Sequence, residues 1–562
     1  MTGFGFHWVD WVVVVGYLAL TTWVGHLMRG KQASIRDFFL GGKSLPWPAV
    51  SGSIIATEIS GVTFIGVPGM LFALNGDFTY LQWALGSILA RILVGLYFVR
   101  VYYEREIYSP YDYMGLRLGN SAKALTTILF TIGSILAQSV RVLVAAIPLE
   151  VATGLPLGVC IVAIGLFAIG WTLMGGMRTV IWTDVMQFVL FLVGGLIAFV
   201  VLLSGIQGGL PGMWETATEF GRTKMLDPRL QADLQFTLWV ALLAVPFQNL
   251  GMFGTDQLMA QRMFCCKDAP AASKAIIFSS VGQFITVLML LVGAALFVNY
   301  QEKGFSQGEL ALVMDVKVGD GESEEAALAS AMEGASYLET KSGEKANVPV
   351  PKKGDYIFPI WIVSALPIGL SGLILAGVFA AAISSLDSIL AALSQTTLSL
   401  IHHPERGKTQ ISDKDLLRQS HLLVGAWGVI LIGFTFVIEM ARDTIPILPL
   451  AFGMTAYTVG PILAIFLCAM FGRGNMRGLI IGAGISMLLT MFVRMDVWVL
   501  VKAAQIDIRW LGVQAWAKAH GFTGGIGQAI TFPIETGIAM AAVGYGNVKS
   551  RTRARFHLAA GA

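Results

Sequence analysis

The stretch Ala381-Ala382-Ile383-Ser384-Ser385-Leu386-Asp387-Ser388 gathers small and oxygen-bearing side chains within an otherwise apolar run. On an α-helix Ala381, Ser384, Ser385 and Ser388 share one face, with Asp387 at its edge, so several oxygens converge on one small volume. That volume suits a hard cation such as Na+. A face of Ala and Ser also lets two membrane helices approach closely. Asp387 weighs toward the cation, because a carboxylate inside a hydrocarbon-length segment is costly and marks an ion or substrate site.

A second polar run lies at 51–69, where Glu58, Thr57, Ser60 and Thr63 interrupt apolar residues together with Gly61, Gly66, Pro68 and Gly69. The glycines and the proline weaken the helical ladder. Discontinuous helices are where transporters expose backbone carbonyls and polar groups within the membrane. A glycine-rich packing face with a proline kink also fits the pattern, but leaves Glu58 unexplained. Arg141, with Gln138 nearby, needs a carboxylate partner, either Glu58, Glu150 or the acid group of a bound solute. Arg91 poses the same question. Asp184 stands near the start of its span, where a carboxylate also serves as a cap or reaches back to water.

These residues belong to a chain of 562 residues, 55% hydrophobic and 13% charged, with formal net charge +3 and mean hydropathy +0.71. Soluble domains carry about 25% charged residues, so the chain reads as an all-α polytopic membrane protein. Segments able to cross about 30 Å of hydrocarbon fall at 8–28, 46–74, 78–101, 121–150, 156–174, 179–204, 236–260, 274–299, 357–402, 421–440, 446–472, 477–497 and 526–547. They make about thirteen spans, the ninth being longer than one crossing.

An odd number puts the termini on opposite sides. Arg29, Lys31, Arg36 and Lys43, then Arg262, Lys267 and Lys274, then Arg406, Lys408, Lys414 and Arg418, then Arg473 and Arg477 mark cytoplasmic loops by the positive-inside rule. The N-terminus is then outside and the C-terminal tail, with Lys549, Arg551, Arg553 and Arg555, inside. The acid-rich segment 301–356 falls outside and reads as a partly ordered cap. The first apolar run has no basic leader and reads as a retained span. Cys160, Cys265, Cys266 and Cys468 show neither disulfide nor metal-ligand spacing. The chain has no GxxxxGK[ST] loop, which argues against ATP-driven transport; no enzyme activity and no nucleic-acid partner is expected.

Several motifs in order resemble the sodium/solute symporters, a family that includes sodium-coupled sugar, proline and sialic acid transporters. They are Asp37-Phe38-Phe39-Leu40-Gly41-Gly42-Lys43, Gly175-Gly176 through Trp182-Thr183-Asp184, Gly254-Thr255-Asp256-Gln257-Leu258-Met259-Ala260-Gln261-Arg262, and Gly369-Leu370-Ser371-Gly372 to Ser388. The resemblance covers nearly the whole membrane portion. It implies a five-plus-five inverted-repeat core with broken first and sixth core helices, one helix before the core and two after. The boundaries it suggests are 1–45 for the first helix and cytoplasmic entry, 46–204 for the first repeat and 205–235 for an extracellular loop. The second repeat is 236–472, with the insertion 301–356, and 473–562 holds the two last helices and the basic tail.

The same resemblance implies a sodium ion held by carbonyls of Ala56, Ile59 and Ala381 and hydroxyls of Ser384 and Ser385. It implies a second sodium or a proton at Asp184, Ser384, Asp387 and Ser388, with Asp387 standing where sialic acid members carry a hydroxyl. Ser60, Thr63, Gln82 and Arg141 resemble the ligand set of the bacterial sodium-coupled sialic acid symporters, in which the arginine grips the sugar-acid carboxylate. The expectation is a sodium-driven symporter of the cell (inner) membrane that imports a sialic acid or related carboxylate-bearing sugar by alternating access. Two sodium ions with one anionic solute would carry net charge inward at roughly 2.3 kcal/mol per charge per 100 mV. Two alternatives are a symporter of a neutral sugar, polyol or amino acid with Arg141 in a structural ion pair, and a sensor that keeps the fold.

Overall fold

The structure is a computed structural model and describes residues 6–28, 30, 35–74, 76–104, 107, 109–173, 176–230, 234–316, 323–401, 412–440, 447–472 and 476–493, with isolated positions between 533 and 540. Helices follow one another as α1 (Trp8–Met28), α2 (Trp47–Glu58), α3 (Val62–Met70), α4 (Phe78–Tyr103), α5 (Asn120–Thr153), α6 (Leu157–Thr172) and α7 (Met177–Ser204). The second half holds α8 (Val240–Thr255), α9 (Gln257–Phe264), α10 (Ala269–Lys303), α11 (Leu370–Ile401), α12 (Asp413–Glu439), α13 (Ile447–Phe471) and α14 (Met476–Val493). Among the described residues eight helices are long and apolar enough to cross a membrane, or nine when the pair α2 and α3 counts as one bent span. Shorter apolar helices are α6, α8 and the Gly478–Met491 part of α14. The chain is thus an all-α polytopic membrane protein. The last expected span, 526–547, the basic tail and the loop 402–411 lie outside the described residues or nearly so.

The helix break read at 51–69 and the one that the family resemblance implies in the sixth core helix are both present. Between α2 and α3 the axis bends by 52°, and α3 starts as a wide π-turn over Val62–Gly66 before Pro68. Between α8 and α9 Asp256 adopts extended backbone and caps the next helix, its carboxylate accepting from Leu258 N at 2.7 Å. A further wide turn, Leu250–Thr255, precedes it. Proline also divides the long run at 357–402: a helix Ile357–Ala365 ends at Leu366, ahead of Pro367, and α11 begins at Leu370.

α11 lies at the centre, packed by α1, α5, α6, α7 and α12. Its start is held by α1, where the buried Asp10 carboxylate accepts from the backbone N–H of Gly369 at 2.7 Å and Gly372 at 2.9 Å, satisfying two donors that a helix N-terminus leaves open. The helices meet so closely there that a Cβ on Gly372 would stand 2.5–2.9 Å from backbone atoms of Asp10. Gly372→Ala is therefore expected to force α1 away and destabilise the protein by about 1–3 kcal/mol, read as a lower melting temperature in detergent. A wild-type melting curve would refute that close contact.

The segment 301–356 seats itself on the bundle. Its short helices Gln307–Val313 and Glu324–Glu333 and the antiparallel pair Tyr337–Glu339 with Lys345–Pro349 place Val313, Met314, Leu338, Ala346 and Val348 in the main apolar core. Near its end Tyr356 Oη donates to Glu150 on α5, so Glu150 is not the partner of Arg141.

Candidate transport site

A cavity of about 160 Å³ opens beside the break between α2 and α3. Ser60, Thr63 and Arg141 line it together, as do Gln138, Gln248 and Asp256. The first three come from two distant stretches of sequence, brought together because α5 crosses the unwound turn. Arg141 donates to the carbonyl of Thr57 at 3.4 Å and has no carboxylate within 4 Å among the described residues. The side-chain oxygens of Gln138 and Gln248 are buried without a hydrogen-bond partner. A cation and two open acceptors thus share one wall.

Glu58 also borders the cavity but is engaged elsewhere. Its carboxylate pairs with the fully buried Arg91 of α4 and accepts from Gln283 Nε2 at 3.0 Å. Arg91 in turn donates to Ser279 Oγ at 3.2 Å and stacks over the Phe253 ring at 4.4 Å from its centroid. The structural pair that the sequence left open for Arg141 is therefore made by Arg91. Gln82 is not in the cavity wall. Its amide donates to the carbonyls of Thr79 (3.2 Å) and Phe236 (3.1 Å), and its oxygen accepts from Asp227 N at 3.2 Å. Gln82 thus ties α4 to the loop before α8, where hydrogen bonds from Arg229, with Lys224 beside it, hold the Asp227 carboxyl well below the usual carboxylate range.

The expected sodium ligands lie at the end of α2 and on α11. In a continuous helix the N–H groups of Ser60 and Thr63 would serve the carbonyls of Ala56 and Ile59. Here they donate to Glu58 O and Ser60 O instead, both at 2.9 Å, which turns the carbonyls of Ala56 and Ile59 out of the usual ladder. Ser384 and Ser385 are fully buried on α11, with Ala381 one turn before them on the same helix. Ser384 donates to the buried Asp184 of α7, and Ser53 of α2, one turn before Ala56, donates to the other Asp184 oxygen at 2.5 Å. Asp184 thereby ties α2, α7 and α11 at one point.

Asp387 and Ser388 adjoin this point, with Ser388 Oγ donating to Asp387 at 3.0 Å. The cation present is the guanidinium of Arg262, which reaches Asp184 at 3.0 Å. Arg262 is a correction to the loop assignment above: it is fully buried on α9 rather than lying in a cytoplasmic loop. Charge counting beside an apolar run cannot separate a loop arginine from one that has a carboxylate waiting inside.

The model of the sodium:solute symporter family matches residues 38–307 and 328–482, which hold both interrupted helices and α11. The chain belongs to that family. Sodium:solute symporters couple a small-molecule solute to Na+, so the chain is a multi-pass Na+-coupled symporter and not an enzyme. Among relatives, the sodium/sialic acid symporter SiaT of Proteus mirabilis is 24% identical over 87% of this chain and 90% of its own length. The sodium/glucose cotransporter of Vibrio parahaemolyticus is 28% identical over 69% of this chain and 67% of its own. The human sodium/iodide cotransporter is 30% identical over 50% of this chain and 43% of its own. The solved substrate-bound outward-open state of a Na+-coupled sialic acid symporter superposes with a TM-score of 0.73 at 21% identity, covering 96% of this chain and 97% of that one. The symporter fold is common to both.

Proposed function

We propose that this symporter imports a carboxylate-bearing solute, with a sialic acid or related sugar acid as the first to test. The observation that carries the reading is Arg141, a guanidinium facing the cavity with no carboxylate within 4 Å of it among the described residues. A planar fork in a semi-dry cavity selects an acid group. Ser60, Thr63 and the open oxygens of Gln138 and Gln248 suit the hydroxyls of a sugar acid. Gln82 would join them only by leaving its present partners.

A second reading, a smaller carboxylate, is favoured by the engaged Gln82 and by a cavity of about 160 Å³, below the roughly 300–1,000 Å³ of pockets for larger ligands. Uptake into proteoliposomes driven by an inward sodium gradient, competed with sialic acid, short monocarboxylates and their amides, separates the two. Competition by the amides as strong as by the acids would defeat both.

Sodium is assigned to the carbonyls of Ala56, Ile59 and Ala381 with the hydroxyls of Ser384 and Ser385, supported by the displaced N–H groups of Ser60 and Thr63. Ser385→Ala is expected to weaken sodium-dependent thermal stabilisation by about tenfold in sodium concentration, the loss of one hydrogen-bond-sized ligand of about 1–1.5 kcal/mol. An unshifted sodium titration would remove Ser385 from the site. Asp184, Ser384, Asp387 and Ser388 form the second cation place.

The five-plus-five arrangement is read as 46–204 and 236–472, each beginning with an interrupted helix. The segments 1–45, 205–235 and 473–562, and the insertion 301–356, flank or join the repeats. A cell (inner) membrane location with the N-terminus outside and the C-terminus cytoplasmic completes the reading; reciprocal coupling then lets sodium raise solute affinity.

A further inference from the structure

We infer that Gln138 reads a hydroxyl close to the solute's carboxylate, which makes hydroxy acids the class carried and plain monocarboxylates poor solutes. The inference rests on the carboxylate reading of Arg141 and holds for a short acid as for a sugar acid. It starts from the wall that α5 gives to the cavity, where Phe130, Gly133, Ser134, Ala137, Gln138 and Arg141 recur every three or four residues and form one stripe. Gln138 stands three residues before Arg141, so the two side chains leave neighbouring turns about 4.5 Å apart along the axis. It is the first polar group on this wall beyond the guanidinium.

Gln138 is 5% exposed, and its side-chain oxygen is buried without a hydrogen-bond partner. An acceptor left open in such a wall is costly until a donor arrives. A solute whose carboxylate sits on Arg141 brings its first or second carbon beside that oxygen. A hydroxyl on that carbon donates to Gln138, whereas a methylene leaves the oxygen open and adds an apolar group against it. An ammonium would also donate, but Gln138 is neutral. Exchanging the hydration of a full charge for one uncharged acceptor is unfavourable.

Calorimetric titration of the purified full-length chain, in sodium, with propionate, lactate, 3-hydroxypropionate and alanine tests this directly. The better of the two hydroxy acids is expected to bind the wild type about tenfold tighter than propionate, the worth of one hydrogen bond in a desolvated site. In Gln138→Leu, which keeps the bulk of the side chain and removes its polar atoms, that preference should vanish while propionate binds no worse. Gln138→Asn, which draws the amide back by one methylene, should lose most of the preference and decides where Gln138→Leu does not fold. Equal affinity of the wild type for propionate and both hydroxy acids would overturn the inference, as would a preference that survives in the variant. Tighter binding of alanine than of either hydroxy acid would give the oxygen to an ammonium and overturn it too. Should only sialic acid bind, the same comparison is made between it and its 2-deoxy derivative. Binding of no acid at all, sialic acid included, would sink the carboxylate reading and this inference with it; a failure confined to Gln138 leaves acid binding dependent on Arg141.

Discussion

Arg141→Ala is expected to weaken binding of a carboxylate solute by about 2–5 kcal/mol, the usual result of removing one partner of a desolvated charge pair. That is roughly a thirtyfold loss or more. Sodium should still raise the melting temperature of the variant, because the assigned sodium ligands lie on α2 and α11 and none of them is Arg141. Arg141→Lys should fall between the two, since an ammonium keeps the charge and loses the planar fork. Calorimetric titration with sialic acid, with and without sodium, reads both effects. Unchanged solute affinity in Arg141→Ala would end the carboxylate assignment.

The second large effect concerns stability. Glu58→Gln leaves Arg91, fully buried, without its carboxylate inside the bundle, and stranding one member of a buried pair costs about 3–5 kcal/mol. The contacts of Arg91 to Ser279 and the Phe253 ring remain, but neither carries a negative charge. A marked drop in melting temperature is expected, and Arg91→Met added to Glu58→Gln should recover most of it by removing the stranded cation. If the single variant melts like the wild type, the Glu58–Arg91 pair does not contribute to stability.

The sequence made one class of residue legible, namely polar groups inside apolar runs. Ser60, Thr63, Arg141, Asp184 and the serines of α11 stood out because hydrocarbon leaves few reasons for them, and the structure gathers them around two points. The first helix break could be read from Gly61, Gly66 and Pro68, whereas the second follows only from the family resemblance of the motif around Asp256. What a single sequence does not hold is the partner of each charge. Glu58 had two arginines within plausible reach, and only the fold, which brings Arg91 of α4 to the end of α2, chooses between them. Gln82 resembled a ligand by position, yet the loop carrying Asp227 folds back and occupies its amide. Arg262 lies five residues before Lys267 in a stretch that hydropathy ends early, so its charge pointed to a loop while Asp184 drew it inside. A polar face on α9 spaced toward Asp184 was the available signal, and it needed the three-dimensional neighbour to be read.

The cap that Asp10 provides on α11 has a consequence for how the molecule is made. The two residues that meet there, Asp10 and Gly369, are 359 positions apart, so α1 leaves the ribosome long before the helix it will hold. In the interval its carboxylate has only the local backbone N–H of His7, and its place in the first turn of α1 lets water serve it. The last act of assembly at this corner is then an exchange of water for two backbone amides, which fastens α1 to the helix bearing Ser384 and Ser385.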